Sequence, residues 1–366
     1  MLASQLDFPL PPSAIAQHPH EPRDEARLLR LLRPRLVQNV DDALSHHRVC
    51  DLPQLLRSGD LLVFNNTRVL RARLFAHKPS GGRVEMLLLK ELERNRWEAL
   101  LKPSARLRAG GTVLVAREGT APLAVQLEER AGESWRLRFL LAEGEDIREH
   151  LTTLGEVPLP PYIRSSAREE QYQTVYAQSR IGQEHPLDSA AAPTAGLHFT
   201  PRLLDALQQQ GVSTCFLTLG VGAGTFRPVQ TATLEEHAMH AEEFEVGAAT
   251  AAQINAQKAR GGRVIAVGTT TTRVLEALAD EQGHINTGYG STSIFIRPGF
   301  RLRCVDALMT NFHLPRSTLL ALVAALAENG QPQPQLTGLE IVRYAYAHAL
   351  AAGYRFFSFG DAMLIE

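Results

Sequence analysis

Between about Leu70 and Ala142, apolar and polar residues alternate in short runs: "RVEMLLLKEL", "RWEALLKP", "GTVLVAR", "PLAVQLEER" and "SWRLRFLLAE". Gly-Gly, Glu-Arg-Asn-Arg and Ala-Gly-Glu turns separate them. A period of two places every second side chain on one face, the mark of half-buried strands, and helical periodicity is nearly absent here. The block reads as a small antiparallel barrel or sandwich inserted into another domain. Outside it, strands and helices alternate. "LLVFNNT" reads as a strand, "PRLLDALQQQ" as a helix feeding the strand "STCFLTLGV", and "GRVIAVGTT" as a strand feeding the helix "TTRVLEALADEQ". "TSIFIRPG" reads as a further strand, and "STLLALVAALAEN" as a helix capped by Ser317. Thr337 and Glu340 form a capping box before the helix "IVRYAYAHALAAG", which leads to a strand at "YRFFSF". The expected fold is a layered α/β core (residues 1–69 and 143–366) with an inserted small antiparallel domain, a β-barrel or a sandwich (residues 70–142).

Composition narrows the class without naming a function. The 366 residues are 44% hydrophobic and 21% charged, as in ordinary globular chains of one or two domains. Thirty-eight Lys and Arg nearly balance 39 Asp and Glu, so no global field draws in a polyanion. A polyanionic partner then needs a local basic surface, for which Arg23, Arg27, Arg30, Arg33 and Arg35 or Arg68, Arg71 and Arg73 are candidates; solvated faces are the plainer alternative. Cys50, Cys215 and Cys304 lie far apart without metal-ligand spacing, which suits a reducing compartment. The amino terminus lacks the basic start of a secretion signal, and the longest apolar run, "LLALVAALA", is too short to span a bilayer. A cytoplasmic location is expected.

Five polar loops fall where strands are expected to end, and open α/β sheets bind ligands outside those ends. "LGVGAGTFRPV" carries Gly220, Gly222 and Gly224, but Phe226-Arg227-Pro228 stands where a dinucleotide fold needs a helix, so that reading fails. A glycine loop that lets backbone approach a ligand remains, against a plain tight turn. "VGTTTTR" sets Thr269 to Thr272 at a helix start, suited to a carboxylate or a ribose, with helix capping as the alternative. "EEHAMHAEEF" holds His237 and His240 near Glu242; in extended chain, His240 and Glu242 share a face, whereas a metal site lacks a third ligand. "TNFHLPRSTLL" gathers Asn311, His313, Arg316 and Ser317, and "FFSFGDAML" offers Ser358 and Asp361. His198 sits alone among small residues in "AAPTAGLHFT".

The same stretches, with N-terminal "IAQHPHEPRDEARLL" and "GDLLVFNNTRVLRARL", closely resemble the S-adenosylmethionine:tRNA ribosyltransferase-isomerase family of queuosine biosynthesis, in order and across essentially the whole chain. The resemblance implies a core domain with an inserted β-barrel. It also implies transfer and isomerisation of the ribosyl part of S-adenosylmethionine onto 7-aminomethyl-7-deazaguanine in a tRNA anticodon loop, giving epoxyqueuosine-tRNA, adenine and methionine. Such chemistry needs a base for the C–H beside a sulfonium. His198 is one candidate, His240 supported by Glu242 another, and Asp361 joins the expected catalytic set. Gly222, Gly224, Thr225, Thr269, Thr270, Asn311 and His313 are expected to hold S-adenosylmethionine, and Arg68, Arg71 and Arg73 the tRNA. S-adenosylmethionine would be a cosubstrate, with no metal or cofactor, and the chain a monomer. Two positions depart from the family pattern: Gly220 stands where histidine is expected, and Asn66 where aspartate is. A noncatalytic tRNA-binding protein, which 6% aromatic residues disfavour as a stacking platform, and an S-adenosylmethionine-dependent RNA methyltransferase are the alternatives.

Overall fold

The computed structural model describes residues 1–33, 40–160, 162–163, 169–179, 187, 189–222, 229–328 and 337–366. In chain order its strands are β1 (Arg27–Leu31), β2 (Leu44–Arg48), β3 (Leu61–Asn65), β4 (Arg73–His77), β5 (Arg83–Glu93), β6 (Arg96–Lys102), β7 (Thr112–Val115), β8 (Leu123–Ala131), β9 (Ser134–Phe139), β10 (Ser213–Leu219), β11 (Glu242–Val246), β12 (Val264–Val267), β13 (Gly288–Thr292), β14 (Ala307–Asn311) and β15 (Ala362–Ile365). Its helices are α1 (Leu52–Leu55), α2 (Ile147–Leu154), α3 (Pro201–Gln209), α4 (Ala248–Ala259), α5 (Thr269–Leu278), α6 (Thr318–Glu328) and α7 (Gly338–Ala351).

Nine strands form one sheet in the order β13-β11-β10-β3-β12-β14-β15-β1-β2. Its centre, β10-β3-β12-β14, is parallel. Parallel strands are covered on both faces, which is why "LLVF" and "VIAV" read as unbroken apolar runs. Leu61, Val63, Leu217, Val264, Ala266 and Leu308 pack with α4 to α7 on one side. Leu62, Phe64, Ile265, Val267, Ala307 and Met309 pack with α1 and α3 on the other. Each fully buried Leu, Ile, Val, Phe or Met among them contributes about 1.5–3 kcal/mol. At the amino ends of β3 and β12, Arg263 is clamped between Asp60 (2.5 Å) and Glu366, so charge there serves the fold.

Strands β4 to β9 close a barrel in the order β4-β5-β6-β9-β8-β7, with β4 pairing β7 to complete the ring. Inward residues such as Leu74, Val84, Met86, Trp97, Leu127 and Leu137 make a separate core, into which α2 adds Ile147, Leu151 and Leu154. The packing unit of the barrel thus runs past residue 142. The α/β core with an inserted antiparallel barrel is the fold that the residue pattern implies. Among the described residues, no helix is long and apolar enough to cross a membrane.

Several elements differ from the sequence reading. "TSIFIRPG" is not a strand; β13 ends at Thr292, where its pairing with β11 stops at Glu242. "YRFFSF" is a turn with a single bridge from Phe356 to Ile15, and the strand follows at Ala362–Ile365. There Asp361 draws the chain back through Arg355 N (2.7 Å), and Phe357 takes φ +76. Among the described residues, the N-terminal arginines are engaged within the fold: Arg30 pairs with Glu366, Arg27 lies on the Tyr354 ring, and Arg23 and Arg33 bond backbone carbonyls. Arg35 lies outside the described residues.

Candidate active site

All four central parallel strands end on the same edge, and the next parallel strand after β3, β10, lies on one side of it while the following one, β12, lies on the other. This reversal is the place where doubly wound sheets open a crevice. A cleft of about 820 Å³, open solvent at its mouth included, lies there. Its walls are Ala192 to Ala195, Val221, Gly268 to Thr270, Thr310 to Pro315, Ser317, Leu319, Phe357 and Ser358. The lining is mainly apolar with a few converging polar groups, as small-molecule sites are.

Each polar group is placed by its own local structure. Gly268 takes φ +94, which turns the chain from β12 directly into α5. Thr271 and Thr272 donate back to the carbonyls of Val267 (2.9 Å) and Gly268 (3.2 Å), so these two support the helix start. Thr269 and Thr270 instead line the cleft at the positive end of α5. His313 meets Thr310 Oγ1 through Nε2 at 3.0 Å, and burial drives its pKa down to about 3, so the ring is neutral. Ser317 caps α6 by accepting from Leu320 N at 3.2 Å.

Asn311, at the end of β14, decides the state of His198. Its Nδ2 donates to the Phe357 carbonyl (3.2 Å), and the same nitrogen lies 3.2 Å from His198 Nε2. A carbonyl can only accept, so the amide cannot be turned over; Nε2 must be the acceptor, and the ring proton sits on Nδ1. The Arg23 backbone lies close enough to the ring to favour its protonated form. Burial lowers the His198 pKa to about 4; the Asp361 charge opposes this, while His20 and Arg355 deepen it. Asn311 Oδ1 is left buried with no partner among the described residues. The small residues around His198 serve two ends. Ala192 to Ala195 line the cleft, whereas a Cβ on Gly196 would fall 2.0 Å from the Tyr176 hydroxyl, so that glycine is demanded by packing.

Asp361 is almost fully buried and accepts from Arg27 N (3.0 Å), Arg355 N (2.7 Å) and His20 Nε2 (3.1 Å). His20 was not singled out from the sequence: it stands 341 positions from its carboxylate, so no spacing announces the pair. Pro19, His20, Arg23, His198 and Ser358 line a small side pocket, and Ser358 also lines the main cleft. Ser358 Oγ lies 2.5 Å from the Tyr162 hydroxyl, another contact with no sequence signal.

The remaining candidates scatter. Glu242 is buried against Arg273 while His240 is exposed, so an ion pair of the core takes the carboxylate expected to support His240. Gly222 is described but is not among the cleft residues; Gly224 and Thr225 lie outside the described residues. Arg71 pairs with Glu169 (2.9 Å) and Arg73 with Glu85 (2.8 Å), whereas Arg68 has no side-chain partner among the described residues. Asn66 accepts from Thr218 Oγ1 (2.7 Å) and donates to Gln178 (3.3 Å); a carboxylate there could not donate. Gly220 N donates to the Glu243 carbonyl at 2.9 Å, continuing the β10–β11 ladder. Among the described residues, no cluster of three His, Cys, Asp or Glu is arranged to hold a metal.

Residues 3–365 match the family described as "Queuosine biosynthesis protein". The chain is 46% identical to the S-adenosylmethionine:tRNA ribosyltransferase-isomerase of Dechloromonas aromatica, over 100% of this chain and 97% of that one. It is 48% identical to the protein of the same name from Thermus thermophilus, over 98% of each. Among solved structures, the S-adenosylmethionine tRNA ribosyltransferase of Thermotoga maritima is 33% identical, with a TM-score of 0.53 over 99% of this chain and 100% of that one.

Proposed function

The chain belongs to the queuosine biosynthesis protein family of ribosyltransferase-isomerases, and from that premise we propose that it transfers and isomerises the ribosyl part of S-adenosylmethionine onto 7-aminomethyl-7-deazaguanine in a tRNA anticodon loop. Epoxyqueuosine-tRNA, adenine and methionine are the products, and the reaction runs in the cytoplasm on a monomeric enzyme. The observation that supports this reading best is the convergence of the β12 and β14 ends, residues 192–195 and residues 357–358 on one cleft at the carboxyl edge of the sheet.

The cleft suits a nucleoside carrying a charged tail. Thr269 and Thr270 at the positive end of α5 would receive the methionine carboxylate or ribose hydroxyls. Asn311 Oδ1 would accept from a ligand donor, since its amide nitrogen is already spent. His313 is neutral, which leaves the positive sulfonium unopposed by a second cation. The sulfonium acidifies the adjacent C–H, and departing adenine must receive a proton or a hydrogen bond. His198, with its Nε2 engaged, acts here by fixing Asn311, and Asp361 by fixing His20.

Isotope fate tests the proposal. With tRNA bearing 7-aminomethyl-7-deazaguanine, ribose label from S-adenosylmethionine should enter the RNA, methyl label should leave as methionine, and adenine should appear in equal amount. Methyl label in the RNA with S-adenosylhomocysteine released would establish a methyltransferase; tRNA binding with neither label transferred would establish a passive binder. Turnover should persist in chelator, and activity lost and restored by added metal would make ligands of groups such as His237 and His240.

A further inference from the structure

We propose that His20, held by Asp361, is the proton acceptor that frees the amine of the incoming nucleoside for attack. The inference rests on the ribosyl-transfer reading above, in which a primary amine is the nucleophile.

Four imidazoles come into question, and the geometry separates them. His198 has Nε2 taken by Asn311, and it is buried. His313 is buried with Nε2 on Thr310. His240 is exposed, with its neighbouring carboxylate spent on Arg273. His20 differs from all three. Its Nε2 lies 3.1 Å from Asp361 Oδ1, and an ionised carboxylate only accepts, so Nε2 carries the proton and Nδ1 the lone pair. Among the described residues Nδ1 has no partner. The side chain is 33% exposed while its carboxylate is 1% exposed, so a buried, immobile group orients a ring that a large substrate can reach. A base oriented by a third group is the arrangement that activates nucleophiles elsewhere. The ring lines the side pocket that shares Ser358 with the cleft.

The charges around the ring keep it ready to accept. Burial, Arg355 and Arg48 lower its pKa against the pull of Asp361, and His198 and Arg23 complete its surroundings. A primary ammonium of pKa about 10 exists as free amine in only about one part in a thousand at pH 7. His20 Nδ1 takes a proton from –CH2–NH3⁺; the N–H bonding pair stays on nitrogen as the attacking lone pair. The resulting imidazolium keeps its Nε2–H on Asp361, now as a charge-assisted bond.

The test measures ribose incorporation by the full chain and by His20→Ala and His20→Gln from pH 6 to 9, with thermal melts of each. Both variants should melt like the parent, keep their KM for S-adenosylmethionine, and lose on the order of 10²-fold or more in kcat at pH 7. Their residual turnover should climb close to tenfold per pH unit, because solvent alone then supplies free amine. Variants with parental turnover, or a loss that does not vary with pH, overturn the proposal and leave the function standing. A parent chain that incorporates no ribose label overturns the reading beneath it as well.

Discussion

Arg273 on α5 and Glu242 at the start of β11 form an ion pair with side chains only 4% and 6% exposed. The pair ties the helix that follows β12 to the antiparallel extension of the sheet. Removing one member of a buried pair strands the other charge, at about 3–5 kcal/mol. Glu242→Ala should therefore lower the denaturation midpoint steeply. A variant with unchanged stability and abolished turnover would return Glu242 to the catalytic set.

Acid should destabilise the fold through two rings of the site. Unfolded, each histidine takes up a proton below about pH 6.5. Folded, His198 does so only near about 4 and His313 only near about 3, both because of burial. With the folded pKa values depressed, the unfolded chain binds more protons in that interval, and stability falls as pH drops from 6.5 toward 4 and 3. The loss is up to about 1.4 kcal/mol per pH unit for each ring. Urea titrations at pH 7, 6 and 5 should show His313→Gln with a shallower decline than the parent, by close to one proton. Equal declines would mean that His313 titrates normally.

Arginine contributions to RNA binding should be unequal. Arg73 is already paired with Glu85 and Arg71 with Glu169, whereas Arg68 has no such partner among the described residues. Arg68→Ala should reduce the slope of log binding constant against log salt by about 0.7 for a loop phosphate, and Arg73→Ala should barely move it. Filter binding of tRNA across salt concentrations reads both. An unchanged slope for Arg68→Ala removes it from the contact.

Gly196→Ala should disturb the loop without touching a ligand. The added methyl would enter the space of the Tyr176 hydroxyl, whose ring packs 4.9 Å from Phe64 between centroids. Overpacking of this kind costs about 1–3 kcal/mol. Gly196→Ala with Tyr176→Phe should recover part of that loss; a double variant no better than the single would place the strain elsewhere.

The layered core and the barrel were legible because apolar periodicity reports burial, and both "VIAV" and the alternating runs are buried as their patterns demand. The loops at the carboxyl edge were legible for the same reason, since Thr269, Asn311 and His313 each follow or end an apolar strand. The sequence misplaced "YRFFSF" because a turn can be as apolar as a strand when it is buried: Phe356 and Phe359 are almost wholly covered. It coupled His240 to Glu242 because adjacency in the chain is visible and Arg273, brought in by another element, is not. The same blindness hid His20 beside Asp361. Pairs closed by tertiary structure leave no interval to read.

The barrel leaves and rejoins the core through paired backbone. Val69 bridges Ser189 in parallel, Arg73 bridges Glu156 antiparallel, and a Cβ on Gly155 would fall 1.9 Å from the Arg71 carbonyl oxygen. The outgoing and returning chains are therefore stitched together before either reaches the sheet. Beside this stalk, Lys90 on β5 pairs with Glu243 on β11 (2.8 Å), a second tie between the barrel and the sheet. The barrel is thus a side domain on a two-stranded stalk: an insertion at a barrel turn away from Lys90 would leave the paired backbone at Val69 and Arg73, and with it the entry into β3, as it is.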